Sequence, residues 1–281
     1  MTAKRILTVQ DISCVGQCSL TVALPILSVC GIETAVLPSA VLSTHTGGFT
    51  GYTFRDLTED IPQIAAHWQK EKISFDAIYT GYLGSKQQIN YVKDLFQTVL
   101  AEGGCKIVDP AMADNGKLYP GFDSTFVQAM QTLVSSDEII LPNITEAALL
   151  TGMPYRTQYD AAYIEALCTA LHHIGAKDIV ITGVSLADQT TGVAVSTAGA
   201  ATRFYQHARI AGGCHGTGDV FASVFVGALC RGQSVYDAAA LAADFTLACI
   251  RCTKEDPAHW YGVKFEQMLP FLIQRLNEKN R

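Results

Sequence analysis

Short apolar runs with strand character alternate with helical patterns along almost the whole chain, and this alternation restricts the fold more than any other feature. A strand is read at 5–9, a helix at 19–30, an extended segment at 33–42 and an amphipathic helix at 57–70. The order then becomes regular: strand 75–80, helix 86–101, strand 105–108, helix 125–134, and strand 138–141 running into Pro142-Asn143. A helix at 145–150, stopped by Gly152 and Pro154, precedes helix 161–174 and strand 178–182. Runs such as Ile139-Ile140-Leu141 and Ile179-Val180-Ile181 lack polar alternation, as strands covered on both faces should. The order predicts an α/β fold with a mostly parallel central sheet flanked by helices on both faces. It breaks once, where 192–196 and 202–207 predict a late antiparallel hairpin. Helices at 221–229, 235–252 and 265–276 close the chain.

No change of composition marks a linker, so a single domain over 1–281 is expected. Hydrophobic residues make up 49% and charged residues 16%, which suits a large core rather than a solvated chain. A net charge of -6 without basic runs leaves no electrostatic footprint for nucleic acid or an anionic membrane surface. The apolar segment after Lys4-Arg5 is broken by Gln10 and Asp11, too early for a signal peptide, and no segment has the length of a membrane span. A soluble cytoplasmic protein is expected. The nine cysteines are scattered, odd in number and mostly set in apolar stretches, so they read as reduced core thiols. Cys249-x-x-Cys252 has no second ligand pair, and His172-His173 lies in an expected helix end, so neither signals a metal.

Sheets of this type gather ligands at the carboxyl ends of their strands. The polar or small residues following the expected strands are Asp11 and Ser13, 43–48, Gly81 and Tyr82, Asp109, Asn143 with Glu146, Thr182 and Gly183, and 216–219. Taken singly, each has a plain structural explanation as a strand stop, helix cap or turn. The last group is the most distinctive, because Gly212-Gly213-Cys214-His215-Gly216-Thr217-Gly218-Asp219 runs directly into an apolar helix beginning Val220-Phe221. Glycines allow a tight turn with exposed amides, and the first helical turn leaves N–H groups unpaired, so this is an anion site by construction. Asp219 would repel that anion. It reads either as a helix cap or as a group that handles a proton while phosphate moves nearby. The pattern is not a Walker A loop, for no Lys-Ser or Lys-Thr follows. Nor is it a dinucleotide fingerprint, since Phe221 stands where a third glycine belongs.

Gly216-Thr217-Gly218-Asp219 resembles a motif of the ribokinase-like superfamily. Three more patterns carry the resemblance over essentially the full length: Pro142-Asn143-Ile144-Thr145-Glu146, Val108-Asp109-Pro110 with Asp114, and Thr80-Gly81-Tyr82-Leu83-Gly84-Ser85. The last, with Ser13-Cys14-Val15-Gly16 and Ser43-Thr44-His45-Thr46-Gly47, is similar to the pyridoxal kinase branch. The resemblance implies that Asp219 takes the proton from a vitamin B6 hydroxymethyl group while the amides of Gly216, Thr217 and Gly218 hold the phosphoryl group. A helix terminus would keep Asp219 ionised. Asn143 and Glu146 match a motif that organises Mg2+ and its water around ATP. Asp109 and Asp114 match acidic positions near metal and phosphates, with Asp109 and Glu146 as the metal residues. Thr182, Gly183, Thr217 and Tyr119 match positions near the nucleotide. Ser13, Val15, Gly16, Thr46 and Tyr82 match the surroundings of the pyridine ring. His45 either joins them or packs. Cys214 and His215 depart from the superfamily pattern, and a thiolate at Cys214 is expected to meet the pyridoxal aldehyde. A homodimer and K+ dependence are further implications.

The implied activity is ATP-dependent phosphorylation of pyridoxal, pyridoxine or pyridoxamine in vitamin B6 salvage. Hydroxymethylpyrimidine kinase is the nearest rival, although that branch usually carries Cys where this chain has Asp219. A catalytically idle ligand-binding protein on the same scaffold is the rival of another class.

Overall fold

The computed structural model describes residues 4–134 and 138–278. In chain order its elements are β1 (Arg5–Ser13), α1 (Leu20–Val29), β2 (Glu33–Leu42), β3 (Phe54–Asp56), α2 (Ile61–Lys70), β4 (Phe75–Thr80), α3 (Lys86–Thr98) and β5 (Leu100–Val108). Then follow β6 (Ala113–Asp114), β7 (Lys117–Leu118), α4 (Ser124–Leu133), β8 (Ile139–Ile140), α5 (Ile144–Thr151), α6 (Ala161–Ile174) and β9 (Asp178–Val184). β10 (Thr190–Thr197), β11 (Arg203–Ala208), α7 (Thr217–Cys230), α8 (Val235–Lys254) and α9 (Leu269–Glu278) complete the chain.

Among the described residues, one nine-stranded sheet has the order β11-β10-β9-β8-β5-β4-β1-β2-β3. β2, β1, β4, β5, β8 and β9 are parallel, as the alternating pattern predicts. β10 and β11 form the expected antiparallel hairpin at one edge. Side chains alternate across each strand, so the sheet feeds two cores. Leu7, Val9, Ile78, Val108 and Ile181 pack beneath α2 to α6, while Ile6, Ala77, Tyr79, Ile107 and Val180 pack beneath α1, α7, α8 and α9. α7 is buried nearly throughout from Val220 to Ala228, and each large apolar side chain there contributes about 1.5–3 kcal/mol.

The boundaries differ from the sequence reading where polar residues stay in the ladder. β1 continues to Ser13 because Ile12 and Ser13 still pair with Val41 and Leu42 beyond a bulge. α7 begins at Thr217, which places Gly218 and Asp219 inside the helix. β3 is wholly exposed and exists only through pairing with Ala40–Leu42, so it carries no alternation to read. The β6–β7 ribbon turns at Asn115 and Gly116, both with positive φ, an Asn-Gly hairpin signal that the sequence did contain.

Candidate active site

Gly216 is the N-cap of α7, with φ +80° in the left-handed region and no side-chain cap. A Cβ at this position would lie 1.9 Å from the Gln17 carbonyl oxygen, so both backbone angle and space demand glycine. The first bond of the helix runs from the Val220 N–H to the Gly216 carbonyl at 3.0 Å. The amides before it, at Thr217, Gly218 and Asp219, are the orphan donors of a helix start. Asp219 sits in the first turn rather than at the cap, which removes the capping explanation.

Asp219 is half-buried at the head of α7. Burial pushes its carboxyl up to about 7; an N–H from Ser19 opposes the rise and the charge of Asp11 adds to it. Burial therefore outweighs the helix terminus, contrary to the expectation of a firmly ionised side chain. Ser19 reaches this position with φ 54° and ψ -129°, a conformation that costs roughly 1–3 kcal/mol in a non-glycine residue. Its hydroxyl donates to Asp11 Oδ1 at 2.5 Å, and the Ser13 hydroxyl donates to Asp11 Oδ2 at 2.9 Å.

A second acidic group stands at the ends of β5 and β8. Asn143 caps α5 by accepting the Glu146 N–H at 3.0 Å, and Glu146 Oε2 returns the bond from the Asn143 N–H at 2.8 Å. Glu146 Oε1 accepts the N–H groups of Met112 at 3.1 Å and Ala113 at 3.4 Å, and Asn143 Nδ2 donates to the Ala113 carbonyl at 2.8 Å. The pair thus fastens the β5–β6 connection to α5. Burial raises the Glu146 carboxyl, and these amides oppose it. Asp109 is raised well above the ordinary range by burial, then by the charges of Glu146 and Asp219. Tyr119 faces the same carboxylates, and burial together with their charges raises its phenol. Asp114 is exposed and accepts bonds from Asn115.

Of these groups Asp114 and Asn143 line a cavity of about 1190 Å3, whereas Asp109, Tyr119, Glu146 and Asp219 are not part of its wall. Asp114, Asn143, Thr182, Gly183, Cys214 and Thr217 line it, so most of the expected nucleotide residues converge there. Cys214 belongs to this wall, half-buried and with its thiol raised by burial, whereas the adjacent His215 turns toward His45.

The expected ring-binding residues lie around β1, β2 and the end of β4. Tyr82 stacks on Phe122 at 5.7 Å between centroids, and burial pushes its phenol up to about 12. Val15 is exposed, as is Thr46. His45 is only 5% exposed; its Nδ1 accepts the Gly47 N–H at 3.0 Å, and Nε2 faces the Tyr261 carbonyl at 2.5 Å. Both ring nitrogens are engaged, so His45 fastens loops together. Gly16, with φ +105°, provides its seat, for a Cβ there would come 2.1 Å from the His45 ring.

The family model for phosphomethylpyrimidine kinase matches residues 31–263. The chain belongs to this family of ribokinase-like kinases. It is 34% identical to a pyridoxal kinase from Lactobacillus plantarum, covering 98% of both chains with a TM-score of 0.89. A Bacteroides thetaiotaomicron protein, provisionally named a phosphomethylpyrimidine kinase and crystallised with pyridoxal, is 36% identical over 96% of both chains with a TM-score of 0.91. A Leishmania donovani pyridoxal kinase in complex with ADP and pyridoxamine covers 96% of this chain and 95% of its own. Its TM-score is 0.84 at 20% identity, a likeness of fold alone. The chain spans about half to two thirds of the length of the curated relatives it matches first.

In this family member the sequence reading passed over several residues that the fold brings to the cleft. Ser19 had no signal, because a serine with positive φ is a tertiary outcome. Arg156, Leu186, Arg209 and Ile250 line the cavity from loops and from α8, far apart in sequence. Trp260 and Tyr261 join Phe49 in an aromatic cluster beside His45, which chain order alone does not reveal. The nine cysteines are all free, as expected, but only Cys30, Cys168, Cys230 and Cys249 lie in the core; Cys18, Cys105, Cys214 and Cys252 are half-buried and Cys14 is exposed. His172 bonds Ala176 and Ser196 through its two ring nitrogens and is a packing residue. No group of three or more His, Cys, Asp or Glu suited to a metal occurs among the described residues, and none of their helices is long and apolar enough to cross a membrane.

Proposed function

We propose that this chain transfers the γ-phosphoryl group of ATP to the 5′-hydroxymethyl group of pyridoxal, and of pyridoxine or pyridoxamine, acting as one 281-residue kinase unit. The observation that carries this reading is Asp219 in the first turn of α7, beside uncapped amides and with a carboxyl near neutrality. A base poised near the working pH accepts a proton most effectively, and amides fixed at a helix start stabilise spreading phosphoryl charge without reorganising.

On this reading Asp219 accepts the hydroxyl proton and the N–H groups of Gly216, Thr217 and Gly218 face the phosphoryl oxygens. Ser13 and Tyr82 border the ring, Asn143, Thr182, Gly183 and Tyr119 the nucleotide. The residues also suit a divalent cation: burial and then the charges of Glu146 and Asp219 raise the proton affinity of Asp109, a repulsion that a cation relieves, and the Asp109 carboxylate accepts no hydrogen bond among the described residues. Asp109 would hold Mg2+ directly and Glu146 through water, with Asp114 at the margin; the ion would neutralise phosphate charge. Cys214, placed on the nucleotide wall, reaches a pyridoxal aldehyde only if its turn swings across the cleft. A homodimer, K+ dependence and a cytoplasmic location complete the proposal and rest on resemblance alone.

ADP release measured with the three B6 vitamers, a hydroxymethylpyrimidine and several sugars tests the reading. Stimulation by the vitamers supports it. Preference for the pyrimidine transfers the activity to that alcohol, and silence with every acceptor ends the kinase assignment.

A further inference from the structure

The phosphate turn is docked on the ring-binding loops through two glycines. On one side Gly216 rests against the Gln17 carbonyl in the β1–α1 loop, where a Cβ would come within 1.9 Å. On the other, the His215 ring lies over Gly47, where a Cβ would come within 2.6 Å of the ring. The same ring is 5.5 Å from His45, the residue that fastens the 44–48 loop to Tyr261. Partial burial and the neighbouring His45 both lower the proton affinity of His215, whose side chain is otherwise exposed. His215 immediately precedes the glycine that opens the anion turn. Movement of the loop after β2 therefore cannot leave the turn unaffected, since the His215 ring joins them through its seat on Gly47 and its contact with His45.

We propose that His215 is a positioning residue that couples the two substrate half-sites: its seat on Gly47 ties the ring-binding loop to the phosphate turn, so bound vitamer and bound nucleotide tighten one another. This rests on the function proposed above. Neither His215 nor Gly47 is assigned a contact with substrate, and the coupling is a free energy that must act equally in both directions.

The experiment measures ADP affinity of the full chain by titration calorimetry in magnesium buffer, with and without saturating pyridoxal. ADP cannot donate a phosphoryl group, so binding is read without turnover. In the unaltered chain pyridoxal should tighten ADP about fivefold or more. His215→Ala should bring that ratio close to one while leaving ADP affinity without pyridoxal unchanged, and His215→Phe should keep the ratio because the ring remains. Gly47→Ala, at a position without positive φ, should also abolish the ratio by displacing the ring, and should add nothing in the His215→Ala background. Mutual tightening that persists in His215→Ala overturns the proposal. So does a loss of pyridoxal affinity by the same factor with and without ADP, which would mark a direct contact. Binding of both ligands without mutual tightening in the unaltered chain sinks the coupling alone; failure to bind pyridoxal sinks the functional reading and the coupling with it.

Discussion

Asp219 stands between a helix start that favours its charge and a buried setting that opposes it, and burial wins. On the proposed mechanism, replacing it with Asn should lower kcat about 10²- to 10⁴-fold, the usual contribution of a positioned base, in a protein that still binds ADP. The acidic limb of kcat/KM should fall near pH 7, read from a pH–rate profile, because only the ionised acid accepts the proton. The same residue should cost stability. Its folded carboxyl titrates above the ordinary 3.8, so the stabilisation is complete below about pH 4 and is lost as pH rises through about 7. Asp219→Asn should therefore unfold at a higher temperature than the unaltered chain at pH 8 and at the same temperature at pH 4. Asp219 and Gly216 were legible because one local motif specifies both turn and helix start. Ser19 was not, since its strained backbone is held by contacts from Asp11 and Asp219 that lie elsewhere in the chain.

Among the elements, α5 shows why a cap and a functional site need not be rival explanations. Asn143 and Glu146 satisfy the helix start and at the same time hold Met112 and Ala113 beside Asp109. Glu146→Gln keeps the shape but turns one acceptor into a donor, leaving a buried amide unpaired; a loss of about 1–3 kcal/mol in urea unfolding is expected. Asn143→Ala should cost about 1 kcal/mol and, on the proposed function, raise KM for ATP more than KM for the vitamer, because the cap lines the cavity proposed for the nucleotide. Helices with strong periods and caps were readable to within a few residues, as α6 at 161–174 shows. β3 escaped because three exposed residues make no pattern and pairing alone defines it; the β6–β7 strands are as short, and only their Asn115-Gly116 turn carried a signal.

For the molecule as a whole, the parallel sheet gathers strand ends into one cleft, while the bulk of the stability lies in the two cores beneath it. A ligand that binds only the folded chain should raise stability by about 2.7 kcal/mol at a hundred times its Kd, and thermal unfolding with ADP and magnesium measures this. No upward shift would mean that the cavity is not a nucleotide site. The sheet, its two helical layers and the glycine turn that opens α7 were written in local order, because periodicity, turn chemistry and helix starts are short-range properties of the chain. Which loops face one another was settled only in three dimensions. The seats that Gly16 and Gly47 offer to His45 and His215, the engagement of both His45 nitrogens, and the burial that lifts Asp219 all depend on atoms brought close from distant segments, and proton affinity responds to the whole of that surrounding volume.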